Sequence, residues 1–291
     1  DGAGRQLALR LRAYGDDQRL LLTQDITERE RVEAIRRDFV ANVSHELKTP
    51  IGAVSLLAEA VEEAADDPEA VRRFAARMGI ESTRLADLVS QIIDLSRLQA
   101  TDPMGRADTV EIDDVLIEAV DRCRVDAEER EVTITVAGEA GLQVMGDQQQ
   151  LTTAIGNLVE NALVYSDPGA RVVVAARRQV RDDDYVAITV SDNGIGIPTD
   201  QLERIFERFY RVDYARSRAN GGSGLGLSIV KHIAAVHHGD VAVWSQLGQG
   251  STFTLRLPAQ HDHDSEQDHD QDPDRDGAAV TSLSARAKTR S

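Results

Sequence analysis

Residues 7–26 alternate apolar and polar positions with a period of two. Leu7, Leu9 and Leu11 are interleaved with Ala8, Arg10 and Arg12, Gly15-Asp16-Asp17 marks a turn, and Arg19 to Thr23 is a second extended run. This predicts a β-hairpin. A lone hairpin is marginal in water, so the rest of its sheet is expected upstream of Asp1. At Thr27-Glu28-Arg29-Glu30 the pattern changes to a capping box, with the Thr27 side chain at the helix start and Glu30 reaching back. Apolar residues follow at Val32, Ile35, Phe39, Val43, Leu47, Ile51, Val54, Ala58 and Val61, a mean step close to the helical repeat. Asp66-Asp67-Pro68 interrupts the pattern and restarts it, with Asp67 as N-cap and Pro68 in the first helical position. The second helix repeats at Val71, Phe74, Met78, Glu81, Leu85, Leu88, Ile92 and Leu95, steps of three and four in which only Glu81 is polar. Two long amphipathic helices cannot bury both seams alone. The reading that satisfies them is a dimeric helical hairpin forming a four-helix bundle; packing on some other domain is the alternative.

Residues 100–109 have the composition of a linker. Beyond them the pattern mixes helix and strand. Helices are predicted near 113–130 and 148–165, with a glycine-rich helix start at 222–226. Strands are predicted near 132–137, 142–146, 171–179, 185–191, 240–246 and 251–257. This is an α+β chain: a helical hairpin followed by an α/β sandwich, one sheet with helices on one face.

Composition narrows the function. At 291 residues, 41% hydrophobic and 29% charged, the chain can bury a core. A formal charge of −17 argues against nucleic acid or anionic lipid as partner. One cysteine, Cys123, forms no internal disulfide, and no apolar run is long enough to span a membrane. The fragment is therefore expected in the cytoplasm without membrane contact. Its start at Asp1-Gly2 rather than Met suggests a longer protein, for which a membrane anchor stays open. Residues 259–291, with eight acidic residues and three His between Gln260 and Asp276, are expected to be a disordered acidic tail without metal-ligand spacing.

Four clusters can carry chemistry. His45 lies in Ser44-His45-Glu46-Leu47-Lys48-Thr49-Pro50, nearly opposite the seam positions Val43 and Leu47, so it is expected to face solvent. Neutral imidazole is a nucleophile, and adjacent Glu46 can take the released proton. Pro50 bends the helix just below it, at a cost of about 3 kcal/mol that suggests local function; a surface His beside a tolerated kink is the plainer reading. Asn157 and Asn161, four apart, offer two carboxamide oxygens on one helix face, suited to a hard cation or simply solvated. Asp192-Asn193-Gly194-Ile195-Gly196-Ile197-Pro198 sets an acceptor for an exocyclic amine beside two glycines that admit a flat ligand; a surface turn is the alternative. Gly221 to Leu227 opens a helix with free N–H groups for phosphate, or else serves as a hinge. Between the last two clusters, the Arg-rich stretch Arg204–Asn220, with Phe206, Phe209 and Tyr210, reads as a mobile lid over an anionic ligand; a basic nucleic-acid patch is the competing reading, disfavoured by the overall charge.

Together and in this order, these segments resemble the sensor histidine kinases of two-component systems. Ser44–Pro50 is similar to their H box, Asn157–Asn161 to the N box and Asp192–Pro198 to the G1 box. Phe206–Phe209 is similar to the F box, Gly222–Leu227 to the G2 box, and Gly248-Gln249-Gly250-Ser251-Thr252 to the glycine loop before the last strand. The likeness covers about 28–258 and is nearest to the PhoR-like actinobacterial kinases of phosphate regulation. Asp25-Ile26-Thr27-Glu28 resembles the exit of a PAS sensory domain. The resemblance implies five segments: the end of a PAS-like domain (1–27), a dimerisation and phosphoacceptor domain (28–100), a linker (101–109), a Bergerat (GHKL) ATP-binding domain (110–258) and the tail. It implies that His45 takes the γ-phosphoryl group of Mg-ATP and passes it to an Asp of a response regulator receiver domain. It assigns Asp192 to the adenine amine, Asn161 and Asn157 to Mg²⁺, and Gly222, Gly224, Leu225, Gly226 and Leu227 to phosphate. Tyr165, Gly194, Gly196 and Thr252 are placed in the nucleotide site, Arg211 at the transferring phosphate, and Thr49 at a water used in dephosphorylation. Where many family members carry Lys before the aromatic residue of the N-box helix, this chain has Val164, so either a lower nucleotide affinity is expected or Arg211 carries more of the charge. A non-kinase GHKL ATPase would explain the glycine motifs but not His45-Glu46, and a silent dimeric scaffold would take no phosphate from ATP.

Overall fold

The computed structural model describes residues 5–14, 18–100, 107–180, 184–212 and 223–260. The expected turn at Gly15–Asp17, the linker over 101–106, Gly222 and the tail beyond Gln260 lie outside the described residues.

The alternating N-terminal pattern forms the predicted ribbon: β1 (Leu7–Tyr14) pairs antiparallel with β2 (Gln18–Asp25), Leu7 opposite Asp25 and Leu11 opposite Leu21. The period of two puts Leu7, Leu9, Leu11 and Leu21 on one face, and all four are exposed.

Two long helices follow, α1 (Thr27–Glu63) and α2 (Pro68–Ala100). The Asp67 cap forms as read, Oδ1 accepting from the N–H groups of Glu69 and Ala70, both at 3.0 Å. The Thr27 capping box does not. Thr27 Oγ1 donates to the Asp25 carboxylate at 2.6 Å and accepts from Gln6 N–H at 2.9 Å, so its hydroxyl is spent on the preceding strands. The first helical bond runs instead from Glu30 N–H to the Ile26 carbonyl. Phe39, Val43, Leu47, Val54, Ala58 and Val61 are half-buried as the seam requires. Ile51 departs from it at 51% exposure, and neighbouring Pro50 is the buried residue there. Glu81, the polar exception on α2, pairs with Arg84 at 3.9 Å.

The remaining chain builds one lobe. β3 (Asp108–Glu111), which the linker reading missed, pairs antiparallel with a strand further on and leads into α3 (Ile112–Arg122). The helix expected over 113–130 is two helices: α3 stops at Cys123 (ψ 0°) and α4 (Arg124–Glu129) resumes. Then come β4 (Thr133–Gly138), β5 (Gln143–Gly146, the partner of β3), α5 (Gln148–Val164), β6 (Arg171–Val180) and β7 (Asp184–Asp192). Short 3₁₀ turns at Thr199–Gln201 and Arg204–Phe206 precede α6 (Gly226–Val236), β8 (Asp240–Gln246) and β9 (Gly250–Pro258). The main sheet has the order β4-β6-β7-β9-β8, antiparallel except for the β4–β6 pair. The period of two in β6, β7 and β9 turns Val172, Val174, Ile188, Val190, Phe253 and Leu255 toward the helices, where Leu116, Leu151, Ile155, Ile229 and Ile233 meet them. Each large side chain sealed there contributes roughly 1.5–3 kcal/mol of transfer free energy. This layer holds the start of α6 and the middle of α5 against the end of β7.

Candidate functional site

A cleft of about 920 Å³ opens between α5, the end of β7, the start of α6 and the face of α2. Asn157 and Asn161 reach it from α5, one helical turn apart, both half-buried. Gly226 faces Asn157: a Cβ there would stand 3.0 Å from Asn157 Oδ1, so the glycine lets the amide lie against the helix start.

Asp192 ends β7 on the cleft wall. Its Oδ1 accepts from the N–H groups of Gly194 at 2.9 Å and Ser251 at 3.2 Å. Burial pushes the carboxyl above its ordinary range, and those two donors offset only part of that rise. With Oδ1 satisfied, Oδ2 is the acceptor left for a ligand. The glycines beside it are required by close approach. A Cβ on Gly194 would come within 2.3 Å of the Tyr165 carbonyl, which accepts from Ile195 N–H at 3.1 Å. Gly196 has φ 71°, and a Cβ there would lie 2.1 Å from the Gln246 carbonyl. Tyr165, Gly196, Gly224, Gly226 and Leu227 line the cleft with Asp192. Leu225 is fully buried beneath them. Thr252 lies elsewhere: it pairs with Ser191 across the sheet, hydroxyl to hydroxyl at 2.9 Å, and the period of two gives the inward position to Ser251.

The phosphoacceptor candidates stand on α1. His45 is exposed, as its helical phase predicted. The Thr49 hydroxyl donates to the His45 carbonyl at 3.3 Å, and those of Ser44 and Ser55 to Val40 and Ile51 at 2.8 and 3.1 Å. Such back-bonds bend a helix, and they bracket the one turn that Pro50 leaves without its hydrogen bond. Glu46 turns the other way from His45 and meets the lobe: its carboxylate lies 3.9 Å from the Arg211 guanidinium, whose side chain is 3% exposed. Arg211 also lines the cleft, so one cation borders both the cleft and the histidine's neighbour. The segment before it docks by rings, Phe209 lying 6.0 Å from Phe39 of α1 between centroids and Arg208 stacking on the same ring. Phe209 takes the left-handed conformation (φ 62°), uncommon for a bulky residue, and its N–H donates to the Gly224 carbonyl at 2.8 Å.

Sequence reasoning missed three contributors. Ser251 supplies a backbone donor to Asp192, although the neighbouring Thr252 was singled out. The α2 face from Ala76 to Gln91 closes one side of the cleft, and nothing in a heptad pattern announces that. The third is His237, at the end of α6 and 3% exposed. Its Nδ1 donates to the Ile233 carbonyl at 2.8 Å, so Nε2 is the acceptor, and it takes the Asp147 N–H at 3.0 Å. Asp147 in turn caps α5 through Gln150 N–H at 3.0 Å. This imidazole ties the start of the Asn157 helix to the end of the glycine-turn helix.

Comparison with known proteins agrees with this geometry. Residues 35–101 match the family model of the His Kinase A (phospho-acceptor) domain. Residues 146–261 match that of the histidine kinase-, DNA gyrase B- and HSP90-like ATPases. The chain is 51% identical over 256 residues to the sensor-like histidine kinase SenX3 of Mycolicibacterium smegmatis, covering 87% of this chain and 66% of that one. It is 34% identical over 260 residues to the phosphate regulon sensor protein PhoR of Pseudomonas aeruginosa, covering 88% and 57%. It thus spans somewhat less than two thirds of the length of these relatives. The solved histidine kinase ThkA, in complex with the response regulator protein TrrA, shares the fold: TM-score 0.63 at 18% identity, covering 88% of this chain and 79% of that one. Phosphoacceptor hairpin, ATPase lobe and half-identical relative lead to one assignment: the chain belongs to the sensor histidine kinases, within the group that includes SenX3 and PhoR.

Proposed function

We propose that this chain is the catalytic part of an ATP-dependent protein-histidine kinase that phosphorylates its own His45 and passes the phosphoryl group to an aspartate of a response regulator. The observation that carries the proposal is the position of Arg211: it borders the cleft and pairs with Glu46, the residue beside an exposed His45.

In this reading ATP enters the cleft with its adenine amine donating to Asp192 Oδ2 and its phosphates at the start of α6, where N–H groups point outward. Asn161 and Asn157 would hold Mg²⁺; carboxamide oxygens suit a hard cation, and Gly226 leaves the Asn157 amide room against the helix start. That ion, when bound, neutralises phosphate charge. A ring nitrogen of His45 attacks the γ-phosphorus in line, the bond to the β-phosphate oxygen breaks, and ADP leaves. The imidazole N–H proton passes to Glu46, which must first part from Arg211 and so releases the guanidinium toward the transferring group. Phosphoryl transfer asks mainly for position and charge, which these residues supply. Transfer to a receiver aspartate then restores His45. Thr49, exposed one turn beyond, orients water for hydrolysis of the regulator's aspartyl phosphate, which frees the aspartate and inorganic phosphate. The half-buried seams of α1 and α2 support a homodimer. The response regulator in the ThkA complex supports the same class of partner.

Incubation with γ-labelled ATP tests the reading. Acid-labile, base-stable label is expected on the chain, and His45→Gln is expected to remove it while nucleotide binding persists. Label surviving in that variant would place the chemistry elsewhere.

A further inference from the structure

Ser223, ahead of α6, stands at a junction that the proposed reaction does not use. Its hydroxyl accepts from Leu225 N–H at 3.1 Å and donates to the side-chain oxygen Oε1 of Gln91 on α2. The polarity follows from the partners: the Leu225 amide can only donate and Gln91 Oε1 can only accept, so the single hydroxyl proton is the one turned to Gln91. In such a chain each bond strengthens the next, and Gln91 thereby tightens the hold of Ser223 on Leu225. Both side chains are half-buried and line the cleft together with Asn157 and Gly226. The turn is also braced from the lid side. Gly224 sits at φ 74° with its carbonyl accepting from Phe209, and a Cβ there would come within 2.8 Å of the Phe209 backbone. Ser223 therefore has little freedom to slide away from Gln91.

Leu225 immediately precedes the first residue of α6, and its N–H belongs to the set that a helix start offers to an anion. Here Ser223 takes that donor. We propose that Gln91 is a positioning residue which, acting through Ser223, withholds the Leu225 N–H from nucleotide phosphates while the lobe lies against α2, and releases it when α2 moves. The inference rests on the reading of the cleft as an ATP site. A helix shift of about 1–2 Å is enough to break a hydrogen bond of this kind, so a movement of α2 changes nucleotide affinity with no rearrangement of the lobe beyond the loss of the Ser223–Leu225 bond.

The test uses the whole chain and a fluorescent ATP analogue, with Gln91→Leu, Ser223→Ala and the double variant beside the unaltered protein. Leucine preserves the helix and removes the acceptor. Gln91→Leu is expected to tighten analogue binding by about three- to ten-fold, the range of one net hydrogen bond, and to lower the KM for ATP by the same factor. Ser223→Ala is expected to tighten binding at least as much, with no further gain in the double variant. A residue that only supports the fold would weaken binding when removed, so the direction of the change decides. Unchanged or weaker binding in Gln91→Leu, or additive effects in the double variant, overturns the relay. If the unaltered chain does not bind the analogue, the relay and the nucleotide reading fall together; binding that Gln91→Leu does not tighten removes the relay alone.

Discussion

His237 allows the lobe to be destabilised by a proton. Burial pushes its imidazole below the ordinary value of 6.5, and the repulsion of adjacent His238 adds to that, while the Ile233 carbonyl and the Asp147 carboxylate oppose it. Protonation would put a hydrogen on Nε2 facing the Asp147 N–H, donor against donor, and break the link between α5 and α6. Above pH 6.5 the ring is neutral whether the chain is folded or not, and pH has no effect through this group. Below it the unfolded chain takes up a proton that the folded chain refuses, so stability falls as pH falls, until the folded value is reached. Between pH 7.5 and 5.5 the loss is at most about 1.4 kcal/mol, the worth of one pKa unit. Urea unfolding measures it, read from Trp244, the single tryptophan, which lies on β8 of this lobe. His237→Gln keeps an acceptor and does not titrate, so its stability should change less over that interval by about the same amount. Parallel curves for the two proteins would refute the argument.

Other predictions concern the cleft and the bundle. Asp192→Asn keeps the oxygen that Gly194 and Ser251 bond to but turns an amide donor toward the adenine amine; ATP affinity measured by calorimetry should fall about ten- to hundred-fold, with the fold intact. Gly196→Ala forces a side chain into the left-handed region and against the Gln246 carbonyl, so the lobe should lose about 1–3 kcal/mol in urea unfolding and its nucleotide binding should weaken. Asp67→Ala removes both bonds of the α2 cap and should cost about 1 kcal/mol in thermal unfolding, without affecting nucleotide binding.

Much of this architecture is legible in the chain because local rules and tertiary packing agree. The ribbon, both long helices and the lobe's α5, β6 and β7 fall within a residue or two of their periodicity, since apolar alternation and core burial there are one fact. The outward phase of His45 follows from the same geometry. The misses arise where a distant or unpatterned interaction decides. Thr27 looks like a cap until Asp25 and Gln6 claim its hydroxyl. The break at Cys123 carries no glycine or proline, and β3 is polar enough to pass for a linker. The buried His237 meets Asp147 from 90 residues away. The cleft motifs were readable as residue types, but the roles of Ser251 over Thr252, and of α2 as a wall, depend on sheet pleat and domain docking that a linear pattern does not encode.

Cys123 sits at the break between α3 and α4, shut in the core. Burial, with the carboxylates of Glu160 and Asp126 nearby, pushes its thiol up to about 12, so almost none of it is ionised near neutrality. The native chain is therefore chemically silent toward maleimides and spin-label reagents while it stays folded. A reporter cysteine placed on α2 or beside the glycine turn can be tagged alone, and the distance between α2 and the lobe can be followed as nucleotide is added without first replacing the natural cysteine.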